Sequence, residues 1–141
     1  MQPNTNRFTK IGAEGAVLAA DATEWEAVLD TKTGLMWSLE TKKVTSYDKA
    51  EGAIKKIKAA GFDDWRLPNV DELFGLADRT RVSPAIDTDF FPDTESDWFW
   101  SSTLYAGSPS DYAWGVNFSY GNAFWSCRSY YGFVRAVRVG Q

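Results

Sequence analysis

The stretch WGVNFSYGNAFWSCRSYYGFVRAVR, residues Trp114–Arg138, decides the fold and raises the question of function. It is dense in aromatic residues, contains Ser, Asn and Gly between them, and carries almost no charge before its last residues. Buried strands are usually richer in Val, Ile and Leu, whereas solvent-facing strands carry more charged residues. The composition therefore favours a surface that contacts another molecule.

Four short strands separated by turns are predicted in and around this stretch. Their sequences are WFWSST, YAWGVNF, AFWSCR and FVRAVRV. The tetrapeptide SYGN at Ser119–Asn122 predicts a hairpin turn, because Gly and Asn tolerate positive φ.

The two faces of the second of these strands differ in character. One face carries aromatic and apolar side chains that we expect in the core: Trp114, Val116 and Phe118. The other face points toward a ligand or toward water: Gly115, Asn117 and Ser119. We also expect Trp98 and Trp100 in the core, whereas Phe124 and Trp125 fit either position.

The first part of the chain predicts a hairpin and a helix. EWEAVLDTKTGLMWSLE alternates on both sides of a turn, which predicts strands near Trp25–Leu29 and Leu35–Ser38. TSYDKAEGAIKKIKAAGF has apolar residues at helical spacing. It predicts a helix of about four turns, capped by Thr45 or Ser46 and ended by Gly61.

The segment DDWRLPNVDELFGLA predicts a second helix, with Asn69 and Glu72 spaced as a capping box. We interpret the charged residues that precede it as structural ion pairs or caps: Asp63, Asp64 and Arg66. Arg135 and Arg138 are likewise expected to pair with carboxylates.

These elements predict an α+β fold, a twisted antiparallel sheet with two helices to one side. A length of 141 residues without a linker predicts a single domain, 1–141. Residues 98–133 contain only Asp111 and Arg128 as charged residues, yet hold 13 of the 22 aromatic residues. The domain therefore divides into a scaffold of about residues 1–100 and a contact region of about residues 101–138.

The charge balance narrows the classes of partner. A net charge of −4 and a pI near 4.8 argue against nucleic acid, which requires clustered Lys and Arg. The sequence contains no apolar run near the length of about 18 residues that crosses a membrane. The N-terminal MQPNTNRFTK shows no signal peptide, and a virion-associated or cell-surface protein stays open.

The chain has one cysteine, Cys127, and no histidine. An internal disulfide, a multi-thiolate metal site and His-dependent catalysis are therefore absent. We predict no enzymatic activity, no cofactor and no metal. The acidic loop leaves a structural calcium ion open, since spacing alone does not show whether its oxygens converge. Its carboxylates are Asp87, Asp89, Asp93 and Asp97.

Several blocks run in order from about Asp30 to Arg138: DTKTGLMW, DWRLPNVDEL, FPDTESDWFWSST, AWGVNFSYG and FVRAVR. Together they resemble the collagen-like-protein C-terminal domain family, a C-type-lectin-fold relative of the formylglycine-generating enzymes. The resemblance implies a C-type lectin-like fold. The Glu-Pro-Asn tripeptide of calcium-dependent sugar binding is replaced by Leu67-Pro68-Asn69 or Ser108-Pro109-Ser110, so that route to sugar binding is not expected.

The same motifs resemble the variable proteins of diversity-generating retroelements, in which a reverse transcriptase rewrites adenines near the 3′ end of the gene. Randomised AAC codons cannot encode Lys, Glu, Gln, Met or Trp. Residues 101–133 contain none of the first four. The resemblance implies that Trp114 and Trp125 are fixed residues within the variable region.

The candidate ligand-binding residues combine rigid tyrosines with small polar side chains, as antibody paratopes do. They are Tyr105, Tyr112, Asn117, Ser119, Tyr120, Asn122, Phe124, Ser126, Arg128, Ser129, Tyr130 and Tyr131.

We therefore expect a non-enzymatic receptor-binding protein of a virus or microbe, diversified by a retroelement, whose ligand is a protein on a cell surface. Its oligomeric state stays open. One alternative is a degenerate relative of the formylglycine-generating enzymes with Cys127 as its nucleophile. Another is an undiversified adhesin or oligomerisation module.

Overall fold

The computed structural model describes residues 7–140. They form a seven-stranded sheet with the strand order β1-β2-β3-β7-β4-β5-β6. The strands are β1 Phe8–Ile11, β2 Ala27–Asp30, β3 Leu35–Val44, β4 Trp98–Leu104, β5 Tyr112–Asn117, β6 Asn122–Cys127 and β7 Gly132–Val139. The α-helices are α1 Ala50–Lys55 and α2 Val70–Phe74. This arrangement confirms the α+β class.

The sheet is mixed, and the expectation of an antiparallel sheet throughout is wrong. β7 is antiparallel to β3 but parallel to β4, where Phe99 lies opposite Phe133. Since β5 is antiparallel to both β4 and β6, β6 and β7 run in the same direction. A tight turn cannot join parallel strands, so residues 128–131 carry the chain back across β5 and β4. We call these four residues the crossing segment.

The two helices lie on opposite faces of the sheet, not on one side as the sequence predicted. Alternation along a strand places neighbouring residues in different clusters. The α1 face buries Met36, Ile54, Trp100 and Val134. The α2 face buries Trp37, Leu73, Phe99 and Val137. The sheet is therefore the middle layer between two hydrophobic cores.

α1 is much shorter than the four turns predicted. It follows a 3₁₀ turn at Tyr47–Lys49, and the Ser46 side chain makes no capping hydrogen bond. A second 3₁₀ turn, Ala59–Gly61, replaces the last part of the predicted helix. The Ala60 N–H donates to the Glu26 carboxylate at 2.7 Å. A tertiary contact thus holds the 3₁₀ turn in a stretch where local spacing predicts that the helix continues.

α2 begins with the predicted capping box. The Glu72 N–H donates to the Asn69 side chain at 2.8 Å, and the Asn69 N–H donates to the Glu72 carboxylate at 2.9 Å. Both carboxylate oxygens of Glu72 also accept from the Arg66 guanidinium, at 2.9 and 2.8 Å. This ion pair lowers the pKa of Glu72. It confirms the structural interpretation of Arg66.

Arg135 is a buried cation in the middle of the sheet. The pairing of β3 with β7 is irregular between Trp37 and Thr41. The Arg135 guanidinium donates to the carbonyls of Ser38 and Leu39, at 2.6 and 3.0 Å. Burial lowers the pKa of Arg135 to about 10, so it remains charged at neutral pH.

The prediction of carboxylate partners is therefore wrong for Arg135 and right for Arg138. Arg138 donates to Asp64 at 2.6 Å, and this hydrogen bond lowers the pKa of Asp64. Arg135 instead bonds to two carbonyls and, at 2.8 Å, to the Thr94 hydroxyl. The irregular stretch of β3 makes those carbonyls available as acceptors.

Two glycines, one in a strand and one in a helix, have different amounts of space around them. A Cβ on Gly115 would lie 2.6 Å from the Trp98 ring and would also meet the Phe99 carbonyl oxygen. We expect Gly115→Ala to lower the free energy of unfolding by about 1–3 kcal/mol. A Cβ on Gly52 of α1 meets nothing within 4 Å. Gly52→Ala should therefore raise the free energy of unfolding by about 0.5–1 kcal/mol.

Urea unfolding of both variants measures these changes. Wild-type stability in the Gly115→Ala variant would contradict the tight packing of Trp98 over β5.

Candidate ligand-binding surface

Exposed aromatic rings concentrate in one part of the chain. Within residues 7–140, the aromatic side chains that are exposed rather than buried or partly buried all lie between Tyr112 and Tyr131. They are Tyr112 36%, Tyr120 71%, Phe124 54%, Tyr130 63% and Tyr131 48%. Aromatic residues before Tyr112 are buried or partly buried. The scaffold thus buries its rings, whereas the contact region displays several of them.

None of the twelve candidate residues is buried, although they do not form one continuous patch. Six are exposed: Tyr112, Tyr120, Asn122, Phe124, Tyr130 and Tyr131. Ser129 is exposed as well, on the crossing segment. Five are partly exposed: Tyr105, Asn117, Ser119, Ser126 and Arg128.

Five rings form an aromatic cluster on β5, β6 and the end of β4: Tyr105, Tyr112, Trp114, Phe124 and Trp125. Tyr105 stacks on Trp125 at 4.5 Å between ring centroids, with only 4° between the ring planes. Phe124 stacks on Trp125 at 4.7 Å. Trp125 therefore lies between two rings, and Phe124 is the exposed end of the stack.

The strands bring this cluster together in a way that sequence spacing does not show. Trp114 lies opposite Trp125 in the antiparallel pair of β5 and β6, at 5.3 Å between ring centroids. The Tyr105 N–H donates to the Tyr112 carbonyl at 3.1 Å, which joins the segment after β4 to β5. The prediction of Trp114 in the core is wrong: its ring packs on Trp125 of the edge strand β6 and on Tyr105, and it is partly exposed.

Arg128 is held by the fold rather than free to contact a ligand. Its guanidinium donates to Asp48 at 2.7 Å and to the Pro109 carbonyl at 2.8 Å. Its backbone carbonyl accepts from the Tyr47 N–H at 2.9 Å, and its own N–H donates to the Asp111 carbonyl at 2.8 Å. Arg128 therefore fixes the start of the crossing segment against the segment before α1 and the loop before β5.

Tyr131 is the second fixed point of the crossing segment. Its hydroxyl donates to the Asp97 carboxylate at 2.7 Å, and Lys43 lies over its ring at 5.1 Å. The hydrogen bond to Asp97 raises the pKa of Tyr131. Tyr130 projects between these two fixed points and is more exposed than Tyr131.

The turn between β5 and β6 uses two of the candidate residues for its own structure. The Asn117 side chain accepts from the Ser119 N–H at 2.8 Å, and the Ser119 hydroxyl donates to the Ser96 carbonyl at 2.6 Å. Gly121 has φ of 83°, as the predicted hairpin turn requires. Tyr120, next to it, is the most exposed aromatic residue of the described chain.

The face of β5 expected to point toward a ligand is partly covered. Gly115 is buried beneath the Trp98 ring, and Trp98 itself stays partly exposed rather than fully in the core. Trp100 and Phe118 are buried as predicted. Only a residue without a side chain fits under Trp98, which explains why this position does not display a side chain.

Cys127 lies at the end of β6, where its thiol contacts the Ser129 hydroxyl at 3.2 Å. This hydrogen bond lowers the pKa of the Cys127 thiol, whereas the nearby Asp111 carboxylate opposes ionisation. A cleft of about 510 Å³ contains the thiol together with Asp48, Asp111 and Arg128.

Two of the four carboxylates of the acidic loop, Asp87 and Asp97, are engaged within the fold. Asp87 is buried, accepts from the Asp89 N–H at 3.0 Å and lies 3.6 Å from Arg81. Asp97 bonds to Tyr131. Within residues 7–140, no group of three or more His, Cys, Asp or Glu side chains is placed to hold a metal ion.

A larger cleft lies away from the contact region and was not predicted from the sequence. It has a volume of about 590 Å³ and is lined by Trp25, Glu40, Lys56 and Glu95, among others. Its residues come from four separate segments of the scaffold, so no local motif marks it.

The described chain contains no helix that is long and apolar enough to span a membrane.

Comparison with known protein families places the chain in one of them. The sequence model of a family described as the Lcl C-terminal domain matches residues 26–138. This match confirms the resemblance to the collagen-like-protein C-terminal family. None of the curated proteins matches the chain.

The contact between Tyr131 and Asp97 predicts a pH dependence. Asp97 accepts a hydrogen bond only from the neutral phenol, and its negative charge opposes ionisation of the phenol. Tyr131 should therefore stay protonated above its ordinary pKa of about 10. Titration of tyrosine ¹³Cζ shifts by NMR measures this directly.

Replacing Asp97 with Asn should bring the pKa of Tyr131 down toward its ordinary value. Asp93→Asn removes an exposed carboxylate from the same acidic loop and is the matched control. Equal titration of Tyr131 in both variants would contradict the hydrogen bond.

Proposed function

Since this chain belongs to the Lcl C-terminal domain family, we propose that it is a non-enzymatic ligand-binding domain. The proposal includes a C-type lectin-like fold and a protein partner on the surface of a cell. The contact region, residues 101–138, binds that partner, while residues 1–100 supply the scaffold.

One observation carries this proposal: the exposed aromatic rings belong to the contact region and not to the scaffold. Exposed rings that occur together are unusual on a monomeric surface and mark interaction sites. A tyrosine ring loses little conformational entropy on binding, and Ser and Asn beside it adapt their hydrogen bonds to the partner. A few such rings are expected to supply most of the binding energy.

The surface of the contact region also suits a protein better than a nucleic acid. Residues 98–133 contain one cation, Arg128, and it is paired with Asp48. Phosphate backbones require several unpaired cations. We therefore propose a protein ligand, bound mainly through aromatic and small polar side chains.

Diversification by a retroelement is the finer part of the proposal. Residues 101–133 lack Lys, Glu, Gln and Met, which randomised AAC codons cannot encode. The contact region also separates into two kinds of position. Buried residues such as Val116 and Phe118 hold the sheet together, whereas exposed residues such as Tyr120 and Tyr130 tolerate change without loss of packing.

Two other functions would depend on other features of this region. An enzyme related to the formylglycine-generating enzymes would act through Cys127, whose thiol contacts a serine hydroxyl rather than a base. Such an activity would disappear in the Cys127→Ser variant. An undiversified adhesin would use the same exposed rings but would have no template repeat in its gene.

The exposed tyrosines predict a variant that folds but does not bind. Replacing Tyr120 and Tyr130 together with Ala should abolish binding to cells and change the melting temperature little, because both rings are mostly exposed, whereas Tyr131 is kept because it is hydrogen-bonded to Asp97. Flow cytometry with labelled protein, before and after protease treatment of the cells, measures binding and shows whether the receptor is a protein.

The matched control removes exposed apolar side chains from the scaffold. Val17 and Val82 are 73% and 68% exposed, so Val17→Ser with Val82→Ser should bind as the wild type does. Undiminished binding by the tyrosine variant would refute the proposed surface. A parallel loss of folding would show instead that the tyrosines are structural.

The retroelement hypothesis predicts a feature of the surrounding DNA. The gene should lie near a reverse-transcriptase gene and near an imperfect copy of its own 3′ coding end, with mismatches at adenines of that copy. Sequencing the locus checks this. A locus without the copy would refute the retroelement hypothesis. The proposal would then be a ligand-binding domain with a constant surface.

A further inference from the structure

The aromatic cluster of Tyr105, Tyr112, Trp114, Phe124 and Trp125 is a set of rings in mutual contact whose outer faces no cation of the described chain covers. Elsewhere cations cover rings closely, as Arg138 does over Phe62 at 3.7 Å and Lys10 over Trp25 at 4.0 Å. Within residues 7–140, no Lys or Arg lies over any of the five rings of the cluster. Their exposed faces are therefore free to attract a cation from another molecule.

The residue next to Tyr112 in the sequence carries a negative charge, which would attract a cationic ligand. Asp111 directly precedes Tyr112, is exposed, and accepts a hydrogen bond from the Ser108 hydroxyl at 2.9 Å. In the described chain its carboxylate makes no ion pair. Arg128, the nearest cation in sequence, is paired with Asp48. Of the two charged residues in 98–133, Asp111 is therefore the one that makes no ion pair.

Electron-rich rings beside a carboxylate that makes no ion pair are complementary to a guanidinium or an ammonium group. We propose that the aromatic cluster with Asp111 binds a basic segment of the partner protein, with an arginine side chain stacked on an exposed ring and paired with Asp111. This inference rests on the proposed function, because it names the chemistry of the partner that the contact region binds.

The dimensions of the cluster suit a segment of a few residues. β6 has six residues, and Phe124 is three residues from Cys127, which lies opposite Tyr112. At about 3.4 Å per residue, the backbone of Phe124 lies roughly 10 Å along the strand from the residue opposite Tyr112. An extended peptide spans this distance with three residues.

The experiment uses the indole N–H signals of ¹⁵N-labelled protein, recorded by NMR. The probe is an acetylated, amidated octapeptide of alternating glycine and arginine, added to the whole protein. We expect the signals of Trp114 and Trp125 to shift. The buried indoles of Trp37 and Trp100 should not move and are the internal reference.

Three comparisons test the role of charge. The same peptide with citrulline in place of arginine keeps the shape but loses the charge, and should bind at least about fivefold more weakly. Asp111→Asn should weaken binding of the arginine peptide about two- to fivefold. Asp21→Asn, which removes an exposed carboxylate near β1 at the opposite edge of the sheet, should leave it unchanged.

Two results would overturn the inference. One is equal binding of the arginine and citrulline peptides, and the other is the absence of shifts at Trp114 and Trp125. Either would leave the proposed function standing, because binding to cells through the tyrosines is measured without these peptides. Conversely, cell binding that survives the tyrosine substitutions would refute the proposed function even if the arginine peptide binds.

Discussion

The position of β7 is the constraint on which the rest of this structure depends. The last strand lies between β3 and β4, so it joins the two halves of the sheet and is buried along most of its length. Its Arg135 donates to carbonyls at the irregular stretch of β3, so the central strands share a buried charge as well as apolar side chains. Without β7, the strands β4, β5 and β6 would have no strand pairing with β1, β2 and β3.

The same constraint creates the surface that we assign to binding. Because β7 fills the middle of the sheet, β6 is left at the edge with β5 as its one neighbour among residues 7–140. The chain must then cross β5 and β4 to reach β7, and this crossing displays Tyr130 between the fixed residues Arg128 and Tyr131. Exposure of aromatic rings here follows from topology rather than from loose packing. The rings of the aromatic cluster pack on one another, which limits the apolar area that each presents to water.

Close approach of backbones explains which residues the contact region cannot vary. Gly115 lies under Trp98, and Gly132 lies so close to Trp100 that a Cβ would be 2.7 Å from its indole nitrogen. These positions hold the crossing segment and β5 near β4. The exposed neighbours Tyr120 and Tyr130 have no such close packing to preserve. A protein that varies its binding surface needs this separation between packed and displayed positions.

The sequence by itself determined the α+β class, the capping box of Asn69, the turn at Gly121 and the concentration of displayed rings near the C-terminus. Each depends on local spacing or composition, which one sequence contains. Only the tertiary structure decided that α1 ends early, that the helices lie on opposite faces, and that Arg128 supports the surface while Trp114 belongs to it. Those outcomes depend on which strands become neighbours. Strand order is fixed by contacts between residues far apart in the chain, such as Arg135 with Ser38, and no local pattern records them.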